Sequence, residues 1–217
     1  MKVWSDSFKD GDAIPARCAF GKPNEATHVE LSDNRNPHLA WGELPSNARS
    51  LVLVCVDGDV PSKPDNVNKE GVTVPATLPR VDFYHWVLVD IPVSTGSIAE
   101  GWLSAAITPR GKPGPEAPGG MRQGLNNYTQ WFAGDADMSG NYFGYDGPCP
   151  PWNDDIVHNY QFRLYAIDLE RCPVEGVFDA PKVLSAISGR IVGKAQIIGT
   201  YAINPAARPS AATLPPR

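Results

Sequence analysis

The sequence predicts a mostly β protein: an antiparallel, Greek-key-like sandwich of two sheets, with one C-terminal helix and long loops. Three observations carry this. The apolar runs are short and rich in β-branched and aromatic residues, and several alternate with period two. The 22 prolines and 20 glycines are spread between those runs rather than gathered in one tract, as turns between strands require. One late stretch, Pro181 to Gly189, has a helix start and a helix stop, because proline suits a first turn and glycine suits a termination.

The elements follow in order. Phe8 to Phe20 alternates loosely around Gly11 and Pro15 and reads as an edge strand or extended arm. Thr27 to Leu31 reads as a short half-buried strand. Asn34-Arg35-Asn36-Pro37 is a turn cluster. Leu51 to Val56 is wholly apolar, so it is expected to be a central strand buried on both faces. Pro61 to Pro79 is polar and without period, a long excursion loop of the kind that often serves function. In the next strand, Phe83 to Ile91, strict alternation puts Phe83, His85, Val87 and Val89 on one face. Gly- and Pro-rich sequence then runs to Gly124. Asn126 to Gly144 reads as further loop, rich in aromatics such as Tyr128, Trp131, Phe132 and Tyr142, which could cover a pocket or pin the loop to the core. His158 to Leu169 is a strand with His158, Tyr160, Phe162 and Leu164 on one face. Gly193 to Ile203 is the last, with Ala195, Ile197, Gly199 and Tyr201 together.

The length fits one domain, residues 1–203, with a flexible Ala- and Pro-rich tail over 204–217. A net charge of −5 argues against a nucleic-acid partner, which would select a basic stripe. No apolar run is long enough to be a transmembrane segment, and Met1 to Asp6 lacks a signal-peptide core, so a cytoplasmic location is expected. The four cysteines show no CxxC spacing, so neither zinc nor a disulfide framework is expected. No cofactor is called for.

The chemistry concentrates in three places. Asp57-Gly58-Asp59-Val60-Pro61 closes the central strand. His85 lies within the next one. Gly147-Pro148-Cys149-Pro150-Pro151 precedes the His158-Asn159-Tyr160 strand start. Carboxylates and imidazoles at strand ends beside a proline-stiffened loop are the parts of a small anion pocket. Imidazole N–H groups and the Tyr160 hydroxyl can donate to an oxyanion, and an aspartate can fix a histidine tautomer and raise its pKa. A rigid rim lowers the entropy lost on binding. Two His and two Asp could also hold a metal, but they sit on three segments without ligand-pair spacing such as HxxxH, so no metal is expected.

These segments, with Asp12-Ala13-Ile14-Pro15, Asn36-Pro37-His38-Leu39-Ala40-Trp41 and Ala195-Gln196-Ile197-Ile198-Gly199-Thr200-Tyr201, resemble the phosphatidylethanolamine-binding protein (Raf kinase inhibitor-like) family, most closely its prokaryotic branch. The resemblance spans about residues 8 to 203 in consistent order. It implies a β-sandwich with peripheral helices and a pocket for phosphate-like anions or phospholipid head groups. By residue match the ligand-binding set is Asp57, Asp59, His85, Pro148, His158 and Tyr160, with no catalytic residue. It also implies possible protein partners, a kinase or a serine protease, and a homodimer. The departures are Gly58 where the family often has Pro, Val60 for Ala, Asn159 for Arg, a long 61–80 loop and an insertion over 129–143. A hydrolase using His85 and His158 is the remaining alternative; no Ser or Cys stands in a GxSxG context, and Cys149 would need a histidine within reach.

Overall fold

A computed structural model describes residues 1–207. The apolar run around Leu51 sits mid-sheet, as its two-sided apolar character requires. It lies in strand β5 (Ser50–Pro61), paired antiparallel with β6 (Arg80–Pro92) on one side and β9 (His158–Ile167) on the other. The edges are β10 (Ile191–Tyr201) and β8 (Arg122–Gln123), giving the order β10-β9-β5-β6-β8.

Each face of this sheet is covered differently. Leu51, Leu53 and Cys55 face a three-stranded sheet of β1 (Lys2–Trp4), β4 (Leu39–Gly42) and β7 (Ser97–Ile98), meeting Leu39, Trp41 and Ile98. Val52 and Val54 face helix α2 (Ala180–Ala186), with Phe178, Val183 and Ile187. The Asp179 side chain caps α2 by accepting from the Lys182 N–H at 3.1 Å, and Gly189 (φ +82°) turns the chain after it. The antiparallel β expectation holds, with three sheets among the described residues; the third is the hairpin of β2 (Gly21–Asn24) and β3 (His28–Leu31). Residues 8–15 form the arm: Gly11 N donates to Ile198 O and Ile14 N to Thr200 O, both at 2.8 Å, along the β10 edge.

Three expectations need correction. The strand over Thr27 to Leu31 is mostly exposed rather than half-buried, because it pairs only within its hairpin. The 126–144 segment is not all loop: helix α1 (Tyr128–Trp131) makes one turn there. Most important, His85 does not share a face with Val87. Cys55 pairs with Trp86 and Val56 with Tyr84, so His85 is an extra residue, a β-bulge. Tyr84 and Val87 pack towards α2, whereas Trp86 and Leu88 lie in the opposite core. A second bulge, between Leu88 and Ile91, puts Asp90 (φ +61°) on the α2 side, where it pairs with buried Arg122 at 2.6 Å.

The expected tail falls mostly on residues outside the described ones. Asn204 is buried and donates from Nδ2 to Asp154 O at 2.7 Å. Among the described residues no helix is long and apolar enough to cross a membrane.

Candidate functional site

The bulge in β6 and the ends of β5 and β9 converge on a cavity of about 370 Å³. Its lining includes Asp57, His85, His158 and Tyr160, four of the six residues singled out in the sequence. The other two stand behind the wall. Asp59 accepts from Asn159 N and Nδ2, at 2.8 and 2.9 Å, and tethers the starts of β5's bulged end and β9. Pro148 is buried, and its carbonyl accepts from Phe20 N and Gly21 N. The lining face of that loop is Cys149, Pro150 and Pro151.

His158 is wholly buried between two carboxylates. Its Nδ1 donates to Asp57 Oδ2 at 2.7 Å and its Nε2 to Asp154 Oδ2 at 3.2 Å. Burial alone would lower its pKa, but the hydrogen bonds and charges of Asp154 and Asp57 outweigh it and raise the pKa to about 9. His158 is therefore an imidazolium with both N–H groups used. Asp154 is also held by a bidentate pair to Arg80, at 2.6 and 3.0 Å. Burial pushes the Asp154 carboxyl up, and His158 and Arg80 more than reverse that, leaving it below its ordinary value. Asp57's second oxygen accepts from Asp59 N at 2.8 Å. The array Asp57–His158–Asp154–Arg80 is thus closed on itself, two anions against two cations.

This closure has a measurable pH consequence. The imidazole titrates at 6.5 when unperturbed and at about 9 in the fold. The stability it contributes is complete below pH 6.5 and is lost as pH rises through 9. Chemical denaturation is expected to show a loss of about 1 kcal/mol per pH unit between about pH 7 and 8, below the range where buried thiols add their own term. His158→Gln should abolish that slope; an unchanged slope would refute a charged His158.

The free polar atoms lie elsewhere in the cavity. His85 bonds through Nδ1 to Asp146 O at 2.8 Å, which makes Nδ1 the protonated nitrogen of the neutral ring. Its Nε2 makes no hydrogen bond among the described residues. Burial lowers its pKa and the His158 charge acts the same way, outweighing Asp57 and Asp146, which raise it. The Tyr160 hydroxyl is buried and has no partner at hydrogen-bond geometry among the described residues, although Asp57 is close enough to add to the rise that burial gives its pKa. Buried orphan hydroxyls are uncommon and point to a missing partner. Burial also pushes the Cys149 thiol up to about 12, so it stays protonated at neutral pH.

Aromatic rings enclose these atoms. Phe20 and Tyr128 stack at 4.6 Å, Tyr128 and Phe132 at 5.5 Å, and Phe83 meets His85 at 4.8 Å. α1 is positioned by Asn126 Oδ1, which accepts from Tyr128 N, and by the Tyr128 hydroxyl, which donates to Gly147 O. Of the 128–145 aromatics, Tyr128, Trp131 and Phe132 line the cavity, while Tyr145 pins its loop to the core through Trp86 and Cys18 O. The 61–80 loop supplies Pro64, Val67 and Asn68. It is held by Asn153, whose Nδ2 donates to the Asn66, Lys69 and Val72 carbonyls.

Sequence reasoning missed Asp154, Arg80 and Phe20. Asp154 had a signal, an acid four residues before His158 at a strand start. Arg80 and Phe20 reach the site only through the fold, from far along the chain. Among the described residues no cluster of His, Cys, Asp and Glu is arranged to hold a metal ion.

A β-sandwich with a small enclosed cavity at the ends of its central strands is a binding-protein architecture. A family model described as phosphatidylethanolamine-binding protein matches residues 4–202, and the chain belongs to that family. It is 30% identical over 201 residues to a UPF0098 protein of Methanothermobacter thermautotrophicus, covering 93% of this chain and 98% of that one. It is 27% identical over 175 residues to Escherichia coli YbhB, covering 81% and 83%. A solved phosphatidylethanolamine-binding protein homologue from Chlamydia trachomatis superposes with a TM-score of 0.60 at 26% identity, covering 92% of this chain and 95% of that one. Escherichia coli YbcL, at 22% identity and a TM-score of 0.66 over 93% and 97%, shares the fold.

Proposed function

We propose that this protein binds, without turning over, a small ligand through a phosphate-like anionic group or phospholipid head group seated at Tyr160 and His85. The observation that carries this is the orphan Tyr160 hydroxyl beside a His85 ring whose Nε2 is unused. An oxyanion placed there accepts from Tyr160 and, once His85 is protonated, from Nε2–H. His158 and Asp57 act as the rigid floor rather than as donors, because their polar atoms already hold partners. Non-catalytic binding fits the state of two cavity groups: the Cys149 thiol is protonated, and Tyr160 is held well above its ordinary pKa by burial.

Binding an anion favours the protonated His85 that burial disfavours, so ligand uptake takes up a proton. Affinity therefore falls as pH rises, by up to a factor of about ten per unit. Calorimetric titration with phosphate and phosphoethanolamine at about pH 6 and 8 is expected to show this decline, with Tyr160→Phe and His85→Ala each weakening binding about 10- to 100-fold. Unchanged affinity in both variants, or turnover of phosphoethanolamine, would refute the reading.

A further inference from the structure

We propose that Lys112 is a positioning residue for the cavity: by pairing with the buried Asp146 carboxylate it holds the Asp146 peptide against His85, and so fixes the His85 tautomer that keeps Nε2 open to a ligand. The use of that tautomer rests on the anion-pocket reading above; the geometry that sets it needs no ligand. Lys112 does not line this cavity. It lines a separate one, of about 430 Å³, together with Gln123 and Phe143. Whatever it does for a ligand at His85, it does through other residues.

The link starts at the ring. His85 and Asp146 are joined twice: His85 Nδ1 donates to Asp146 O at 2.8 Å, and Asp146 N donates to His85 O at 3.0 Å. A carbonyl oxygen only accepts, so the first bond requires a proton on Nδ1. In the neutral ring it leaves Nε2 with its lone pair, and a proton taken up there leaves the bond in place. The tautomer is therefore set by where one peptide carbonyl points. A ring released from that carbonyl can carry its proton on either nitrogen.

The carbonyl points where it does because the side chain of the same residue is pinned. Asp146 is 1% exposed, and its carboxylate accepts from Asn34 Nδ2 and Asn126 Nδ2, both at 2.7 Å, and from Lys112 Nζ at 2.9 Å. The two amides bring no net charge. A buried carboxylate without a counter-charge takes up a proton or moves towards water. Among the described residues Lys112 is the one cation within ion-pair distance of Asp146. Its side chain is 11% exposed, its N–H donates to Asn141 O at 2.8 Å, and its ammonium also donates to Tyr145 O. One ammonium thus grips the chain at two consecutive residues, the second of which carries His85.

Nitrogen NMR of the histidine rings at about pH 8, where His85 is neutral, reads the tautomer without a ligand. Wild type is expected to show His85 protonated at Nδ1 alone. Lys112→Met should give a mixture of the two tautomers and weaken phosphate about 3- to 10-fold in calorimetric titration at about pH 6. In a His85→Ala background the same substitution should change phosphate affinity by less than about 2-fold, because the ring it acts through is gone. Lys112→Gln keeps a donor but not the charge; it should lie between wild type and Lys112→Met, and it decides the matter by the same readouts if Lys112→Met does not fold. An unchanged His85 tautomer in a folded Lys112 variant would overturn the proposal, as would an equal loss of affinity with and without His85. A wild type that binds no phosphate would remove the anion pocket, and the ring spectra would then decide the positioning role on their own.

Discussion

His158→Ala is expected to lower folding stability by about 3–5 kcal/mol, the cost of leaving a buried charge without its partner. The side chain removed is fully buried and touches two carboxylates that are themselves 1% exposed. Without it, Asp57 and Asp154 face one another across a void, and only Asp154 keeps a cation, Arg80. One of the two must then take up a proton, draw in water, or move apart from the other. Each response disturbs β5, β9 and the 61–80 loop together, because Arg80 also holds the Asp59 and Pro75 carbonyls. Urea denaturation of wild type and variant measures the difference. A surface pair supplies the contrast: Lys2 and Glu43 meet at 2.6 Å, yet both are exposed, and Lys2→Ala should leave the midpoint where it was. A loss below about 1 kcal/mol in His158→Ala would mean that the array is not charged as described.

Gly147→Ala is the second large effect, at about 3 kcal/mol, the upper end for forcing atoms into a packed site. A Cβ at Gly147 would stand 2.1 Å from Cys18 O and 2.9 Å from Ala19 Cα. Both are backbone atoms of a segment held by its own turn, so neither can rotate away. The same residue donates its N–H to Asn34 Oδ1 and accepts from the Tyr128 hydroxyl, so a shift propagates to α1 and to Pro148 through Pro151. The variant should therefore lose ligand affinity as well as stability. Thermal denaturation with parallel titration would show both; loss of neither would mean that the loop yields more easily than its backbone contacts suggest. The leading glycine of the Gly-Pro-Cys-Pro-Pro run is thus required by close backbone approach, and not by an unusual φ.

How much of this was legible beforehand differs between elements. Leu51 to Val56 was readable because an apolar run without alternation has only one comfortable place, mid-sheet. The Pro181 helix was readable because its start and stop residues act locally. Asp57, His85, His158 and Tyr160 could be picked out because they cluster beside strand ends and match a family pattern. The facing of His85 was not readable. Alternation is a rule for regular strands, and nothing in Tyr84-His85-Trp86 announces an extra residue; the bulge comes from pairing with Cys55 and Val56. Arg80 and Phe20 were invisible for a related reason, since only tertiary contact gives them a role. The saturation of His158 was equally hidden, because a sequence shows which groups can donate but not which already do.

The two bulges of β6 have a further consequence for how this strand can change over generations. Each shifts the alternation by one residue, at His85 and at Asp90, and the second cancels the first. Phe83 and Ile91 are therefore in step, while Trp86 through Val89 run out of step between them. Regularising either bulge alone would turn Trp86 and Leu88 towards the helix side, or Ile91 out of the core, and would carry His85 away from Tyr160 or Asp90 away from Arg122. The aim of one imidazole and a buried ion pair on the opposite face of the sheet are thus set by two departures from alternation in a single strand.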